Sequence, residues 1–237
     1  MLREWLASDA AGEAVEILRT QFPLALWETV YVTLLATVFA AAIGLPLGVL
    51  LVTGEKNGVL PLPSWLMKMI NTLINLLRSV PFLILMILVF PLTRLIVGTV
   101  VGTTASVVPL VIAAFPFVAR LAEGSLREVD PNVIEMAQSM GASPFAIITR
   151  VMIPESVPSL ISNFTIAVTT VLGYSAMSGI IGGGGLGKIA INYGYYRYKY
   201  LVMFFAVLLL ILLVQLFQTV GTRLAARADK RLKHQKE

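Results

Sequence analysis

The chain has 237 residues, of which 57% are hydrophobic and only 13% charged. That is about half the charge of an ordinary soluble domain, and the mean hydropathy of +0.86 comes from long apolar blocks, so the solvent for much of the chain is a bilayer. The absence of cysteine excludes disulfides and thiolate metal sites. A lone histidine, His234 in a charged tail, argues against zinc enzymes and most histidine acid–base chemistry, and a net charge of +5 placed at the ends of apolar blocks fits membrane topology better than nucleic acid.

Residues 1–22 carry Glu4, Asp9, Glu13 and Glu16 and no continuous apolar core, so they are not a secretory signal. Trp5, Leu6, Val15, Ile17, Leu18 and Phe22 suit either a short interfacial helix or an ordinary loosely held one. Five blocks are long and apolar enough to span a bilayer, at about 24–52, 67–91, 95–119, 156–181 and 200–220. The expected fold class is an all-α membrane protein of five transmembrane helices. The division is an external extension at 1–22, a transmembrane domain at 23–222 with a cytoplasmic loop at 122–155, and a basic tail at 223–237. An odd number of spans puts the termini on opposite sides. Eleven lysines and arginines, including Lys56, Arg127, Arg150 and the tail cations, fall on one side and six on the other. The side with eleven is therefore expected to be cytoplasmic, with the N-terminus outside and the C-terminus inside.

Gly44 and Gly48 form a small-xxx-small step that lets helices approach closely. Pro46, Pro81, Pro109 and Pro116 are expected to interrupt helices at membrane depth, around a pathway that satisfies the freed backbone. Arg78 is the only formal charge well inside a block, and such a charge costs at least about 2.5 kcal/mol at the bilayer centre. It is read either as a clamp near the inner mouth, its donors taken by the carbonyls of Ser79, Val80 and Pro81, or as a side chain snorkelling to the cytoplasmic surface.

Between the third and fourth blocks, Asp130-Pro131 is a helix start, with an acidic cap and a proline in the first turn. A short helix is expected to run to about Met140, ended by Gly141 as its left-handed residue. Ser143-Pro144 repeats the start signal, a second short helix runs toward Val151, and Pro154 marks the approach to the fourth span. From spacing alone this loop is either a connector resting on the membrane or a docking element.

The fourth block is the most polar. Asn163, Tyr174, Ser175 and Ser178 are candidates to line a path and Met177 to plug a gate; the competing reading is helix–helix hydrogen bonding and packing. No carboxylate lies at mid-span, which leaves a proton-coupled transporter without a carrier and an embedded enzyme without acid–base groups. The run Gly182, Gly183, Gly184, Gly185, Leu186, Gly187, Lys188 resembles a phosphate loop only superficially. Ile189 stands where magnesium needs a hydroxyl, and the apolar fifth block follows where a dinucleotide fold needs an acidic residue. The run is read either as a flexible outer hinge or as a glycine turn that simply fits.

Glu135-x-Ala137, Gly141 six residues after the glutamate, and Val151-Met152-Ile153-Pro154 together resemble the signature loop of ABC importer permeases. Met136 replaces the usual second alanine, and Val151 and Ile153 stand for isoleucine and leucine. Arg78–Phe82, Pro91–Thr99 and Gly173–Met177 through Gly187 to Tyr195 further resemble the methionine-importer permeases. Departures are the longer N-terminal extension and Ala190-Ile191-Asn192, where a glycine/aromatic step is expected. The resemblance implies a type I importer bundle in the bacterial cytoplasmic (inner) membrane. It implies a homodimer, two copies of a cytoplasmic ATPase that carry ATP and magnesium, and an external methionine-binding lipoprotein. It places Glu135, Ala137 and Gly141 at the bend of the coupling loop, with Met140, Ala142 and Phe145 as groove contacts. The chain itself then needs no cofactor and no catalytic residue. Another small amino acid or related metabolite is the alternative substrate, and an ATPase-independent secondary transporter or channel is the alternative class.

Overall fold

A computed structural model describes residues 9–229. Trp5, Leu6, His234 and the cations Lys230, Arg231, Lys233 and Lys236, on which parts of the sequence reading rest, lie outside them. Among the described residues the chain is helical throughout, with no strand. The helices are α1 (Asp9–Thr20), α2 (Phe22–Thr53), α3 (Ser64–Ser79), α4 (Phe82–Leu88), α5 (Phe90–Val97), α6 (Thr103–Arg127), α7 (Pro131–Ser139), α8 (Pro144–Ile147), α9 (Ile153–Ser178), α10 (Gly185–Ile189) and α11 (Tyr200–Ala228).

Four stretches are long and apolar enough to cross a membrane: α2, α6, Pro144–Ile181 and α11. The pair α3 and α4 meets the same test only together, bent by 109° between them, as a broken span or a re-entrant loop. The expected span over 67–91 is therefore broken. The break falls at Val80, which is extended (φ −83°, ψ 127°) because the residue before Pro81 is driven out of the helical region. The block at 95–119 is also displaced: its helix begins at Thr103 and continues through Arg127. Gly98 (φ +82°) ends α5 by donating its N–H to the Arg94 carbonyl at 2.9 Å, and Gly102 (φ +110°) adds a second left-handed residue. Hydropathy reads through this gap because Val100 and Val101 are themselves apolar.

Of the four prolines expected to interrupt helices, only Pro81 does so. Helix α2 runs through Pro46, and α6 runs through Pro109 and Pro116. A proline removes one ladder bond, and close neighbours hold a helix together across that loss.

The described chain divides into two compact units. The first comprises residues up to Ala36, Phe82–Leu110 and Thr170–Leu216. The second comprises Thr37–Pro81, Val111–Thr169 and the residues from Phe217 on. In the second unit, the small-xxx-small step seats α2 on α6. A side chain at Gly44 would meet the Phe115 carbonyl at 2.7 Å, and one at Gly48 would meet the Ala122 Cβ at 2.5 Å. Beside this contact Leu51, Met67, Ile74 and Ala119 form a buried cluster. In the first unit, Phe82 stacks on Tyr174 with centroids 4.7 Å apart and planes 5° apart.

Candidate functional site

The loop of the second unit follows its local sequence signals closely. Asp130 caps α7, its Oδ1 accepting from the Asn132 backbone N–H at 2.9 Å, and Pro131 occupies the first turn. Helix α7 ends as a Schellman turn. Gly141, at φ +77°, donates to the Gln138 carbonyl at 2.9 Å, and Ala142 donates to the Ala137 carbonyl at 3.1 Å. Ser143 then caps α8 by accepting from the Ala146 N–H at 3.3 Å.

One expectation for this loop is corrected. The second helix is not separate, because helix continues from Pro144 through Pro154 and the fourth span to Ile181. A π-turn at Ile148–Met152 precedes the proline, with the Ile153 N–H bonded to the Ile148 carbonyl. Such a turn reassigns carbonyls that a regular helix would leave without a donor at a proline.

The side chains of the loop separate into two sets. Ile134, Ala137 and Ala142 pack inward against the buried Leu126, Ile147 and Met152. Glu135 is exposed. Met136, Met140 and Phe145 are large, apolar and 58%, 80% and 76% exposed. Met140 and Phe145 stand among the sequence candidates. Met136 was passed over, although its spacing of four from Met140 puts both on one face of α7.

A charged network at the base of the loop was also missed. The Arg120 guanidinium donates to Glu123 at 2.6 Å, to the Asn71 Oδ1 at 2.8 Å and to the Asn75 Oδ1 at 2.9 Å. Arg127 bridges Glu123 at 2.8 Å and Glu55 at 2.5 Å. This ties α6 to α3 and to the turn after α2. The readable signal was the spacing Arg120, Glu123, Arg127 on successive turns of one helix.

The candidate path residues fall in both units. In the second, Arg78 is exposed in the last turn of α3 and makes no hydrogen bond among the described residues. The expected acceptance by the carbonyls of 79–81 is absent, since the chain turns extended at Val80. Asn163 donates to the Ser125 Oγ at 2.8 Å and the Leu121 carbonyl at 3.2 Å. It lines a cavity of about 600 Å³ that also touches Glu128, Glu155, Ser159 and Thr222. In the first unit, Ser175 and Ser178 are buried and donate to the Leu172 and Ser175 carbonyls at 2.8 and 2.7 Å. Met177 is 45% exposed.

The glycine run, in the first unit, is a packed turn. Gly182 (φ +88°) and Gly185 (φ +80°) take left-handed conformations. A side chain at Gly187 would lie 2.1 Å from the Ala176 carbonyl, and one at Gly184 would lie 2.1 Å from the Thr103 Oγ1; one at Gly183 would lie 2.8 Å from the Ser178 carbonyl. Three of the turn's N–H groups are committed, that of Gly183 to the Ser178 carbonyl at 3.0 Å. The Gly185 N–H goes to the Glu28 Oε2 at 2.7 Å, and the Leu186 N–H goes to the Thr29 Oγ1 at 2.9 Å. Glu28 also accepts from the Thr103 hydroxyl at 2.8 Å. With Gly183, Gly185 and Leu186 committed, residues 183–186 lack the consecutive free N–H groups of a phosphate cradle. Among the described residues no cluster of three or more His, Cys, Asp and Glu side chains could hold a metal.

The family model for binding-protein-dependent transport system inner membrane components matches residues 44–234. The probable D-methionine transport system permease protein MetI of Vibrio cholerae serotype O1 is 49% identical over 208 residues, 87% of this chain and 92% of that protein. The methionine import system permease protein MetP of Bacillus subtilis is 44% identical over 171 residues, 70% of this chain and 77% of that protein. Among solved structures, a chain of the MetNI methionine ABC transporter in an inward-facing, native crystal form aligns with a TM-score of 0.88 at 39% identity, covering 91% of this chain and 99% of that one. On the helical bundle, the glycine-ended loop and these likenesses together, the chain belongs to the binding-protein-dependent transport system inner membrane component family.

Proposed function

We propose that this chain is the transmembrane permease subunit of an ATP-driven methionine importer in the bacterial inner membrane. It works as a homodimer with two copies of a cytoplasmic ATPase and receives methionine from an external binding lipoprotein. The observation that carries the reading is the agreement of methionine-transport relatives at 44–49% identity with a methionine transporter chain matched over 99% of its length.

The ATPase seats on the loop from Asp130 to Pro154, with the excess of lysine and arginine marking that side as cytoplasmic and the N-terminus as external. Met136, Met140 and Phe145 enter its groove, and the inward set held by Leu126, Ile147 and Met152 carries the motion into α6 and α9. ATP closes the ATPase pair, the loops of the two copies move together, and the bundle opens outward; hydrolysis returns it inward. ATP and magnesium belong to the partner, and the chain contributes no catalytic group. Asn163, through Ser125 and the Leu121 carbonyl, and Tyr174, stacked on Phe82, tie the helix that flanks the path to its neighbours; Ser175 and Ser178 bond back to carbonyls of that same helix, and Met177 is the gate candidate because it is the exposed member of that group.

The test is uptake of labelled methionine by vesicles that hold this chain, its ATPase and the binding protein. Uptake requires ATP and the ATPase. Uptake that persists without the ATPase overturns the reading and favours a self-sufficient transporter, and uptake of another amino acid in place of methionine changes the substrate alone.

A further inference from the structure

In the first unit a cavity of about 250 Å³ opens beside the glycine turn, lined by Glu28, Lys188, Asn192, Arg197, Leu24 and Ile189, with Tyr193 on its wall. It is smaller than the roughly 300–1,000 Å³ of pockets for drug-sized ligands. Its polar groups have capacity to spare. Lys188 and Asn192 make no side-chain hydrogen bond among the described residues, and Arg197 meets only the Tyr193 ring, 4.9 Å from its centroid. Glu28 has one donor on each carboxylate oxygen, Thr103 on Oε1 and Gly185 on Oε2, which leaves lone pairs free on both. The backbone donor from Gly185 and the packing of the glycine run fix that carboxylate in place. One small cavity thus holds two cations, the free amide of Asn192 beside a Gln21 amide that donates to the Tyr193 hydroxyl, a fixed carboxylate and an apolar wall.

We infer that this cavity is a binding subsite for a free α-amino acid. Lys188 and Arg197 take its carboxylate, Glu28 takes its ammonium, and Leu24 and Ile189 face its side chain. A partner protein's side-chain carboxylate would match only the cationic half and leave Glu28 without a counterpart. The inference rests on the importer reading and deepens it by giving the permease its own contact with the transported molecule.

The chain has no cysteine, so Asn192→Cys places a single thiol in the wall. In the purified complex with its ATPase, methionine at about ten times its Kd leaves roughly a tenth of the sites open and slows modification of that thiol by a charged reagent about tenfold. Methioninamide, which lacks the carboxylate, and N-acetylmethionine, which lacks the ammonium, give no protection, and Lys188→Ala or Arg197→Ala abolishes it. Equal rates with and without methionine overturn the inference. So does protection that survives the Lys188→Ala, Arg197→Ala double variant, and so does protection by the substrate-free binding protein alone, which identifies a protein-docking pocket. Should Asn192→Cys fail to assemble, equilibrium dialysis of labelled methionine against the wild-type complex and the double variant decides the question, since the ATPase contribution is common to both. Vesicle uptake separates the two readings. Methionine uptake without protection sinks the subsite alone, whereas protection without methionine uptake sinks the importer assignment.

Discussion

The glycine turn and the loop from Asp130 to Pro154 reverse what their compositions suggest. Five glycines in six residues look like freedom, yet Gly183, Gly184 and Gly187 have no room for a methyl group and the donors of Gly185 and Leu186 are held by Glu28 and Thr29. The loop has strong caps at both helix starts and reads as a finished element, yet it leaves Met136, Met140 and Phe145 largely exposed. Close packing marks a part that is complete within one chain. Exposed large side chains on a rigid, capped frame mark a part that is completed by another.

Substitutions that add or remove one group test this contrast. The largest expected effect is Gly187→Ala, whose new methyl meets backbone at 2.1 Å and costs about 3 kcal/mol; the folded yield in membranes and the thermal midpoint both fall. The same change at Gly124, with nothing within 4 Å, is neutral or stabilises helix α6 by about 0.5–1 kcal/mol. Thermal unfolding of the two variants side by side separates packing from flexibility. Next is Thr29→Val, which leaves the Leu186 N–H buried without its acceptor and costs about 1–2 kcal/mol, read as faster hydrogen exchange at Leu186. The smallest is Asp130→Ala, where loss of the cap costs about 1 kcal/mol and exchange rises in the first turn of α7 while the glycine turn is unchanged.

What could be read in the sequence was what one or two neighbouring residues decide. Asp130, Ser143 and Gly141 set caps and a helix end through bonds no more than five residues long, and all three appear as expected. The close step at Gly44 and Gly48 was legible for the same reason, because its spacing fixes one helix face. Contacts between distant residues were not. Nothing near Glu28 in the chain signals that it will accept from Gly185, and nothing near Arg120 signals Asn71 and Asn75. The prolines misled in the other direction. Pro46, Pro109, Pro116 and Pro154 carry a breaking tendency that surrounding helices or a π-turn overrides, and only at Pro81 does the local rule win. The gap between α5 and α6 was hidden because valines fill it, and hydropathy cannot distinguish an apolar turn from an apolar helix.

On the importer reading the loop is a preformed seat whose apolar side chains are covered by an ATPase. The most direct measurement is co-purification of the ATPase with the Met140→Ala, Phe145→Ala double variant against wild type, with thermal unfolding of the permease read in parallel. The unfolding midpoint should be unchanged and the ATPase affinity lower by about thirtyfold, as expected for about 2 kcal/mol of interface hot spot. Full retention of the ATPase by a folded double variant would contradict it.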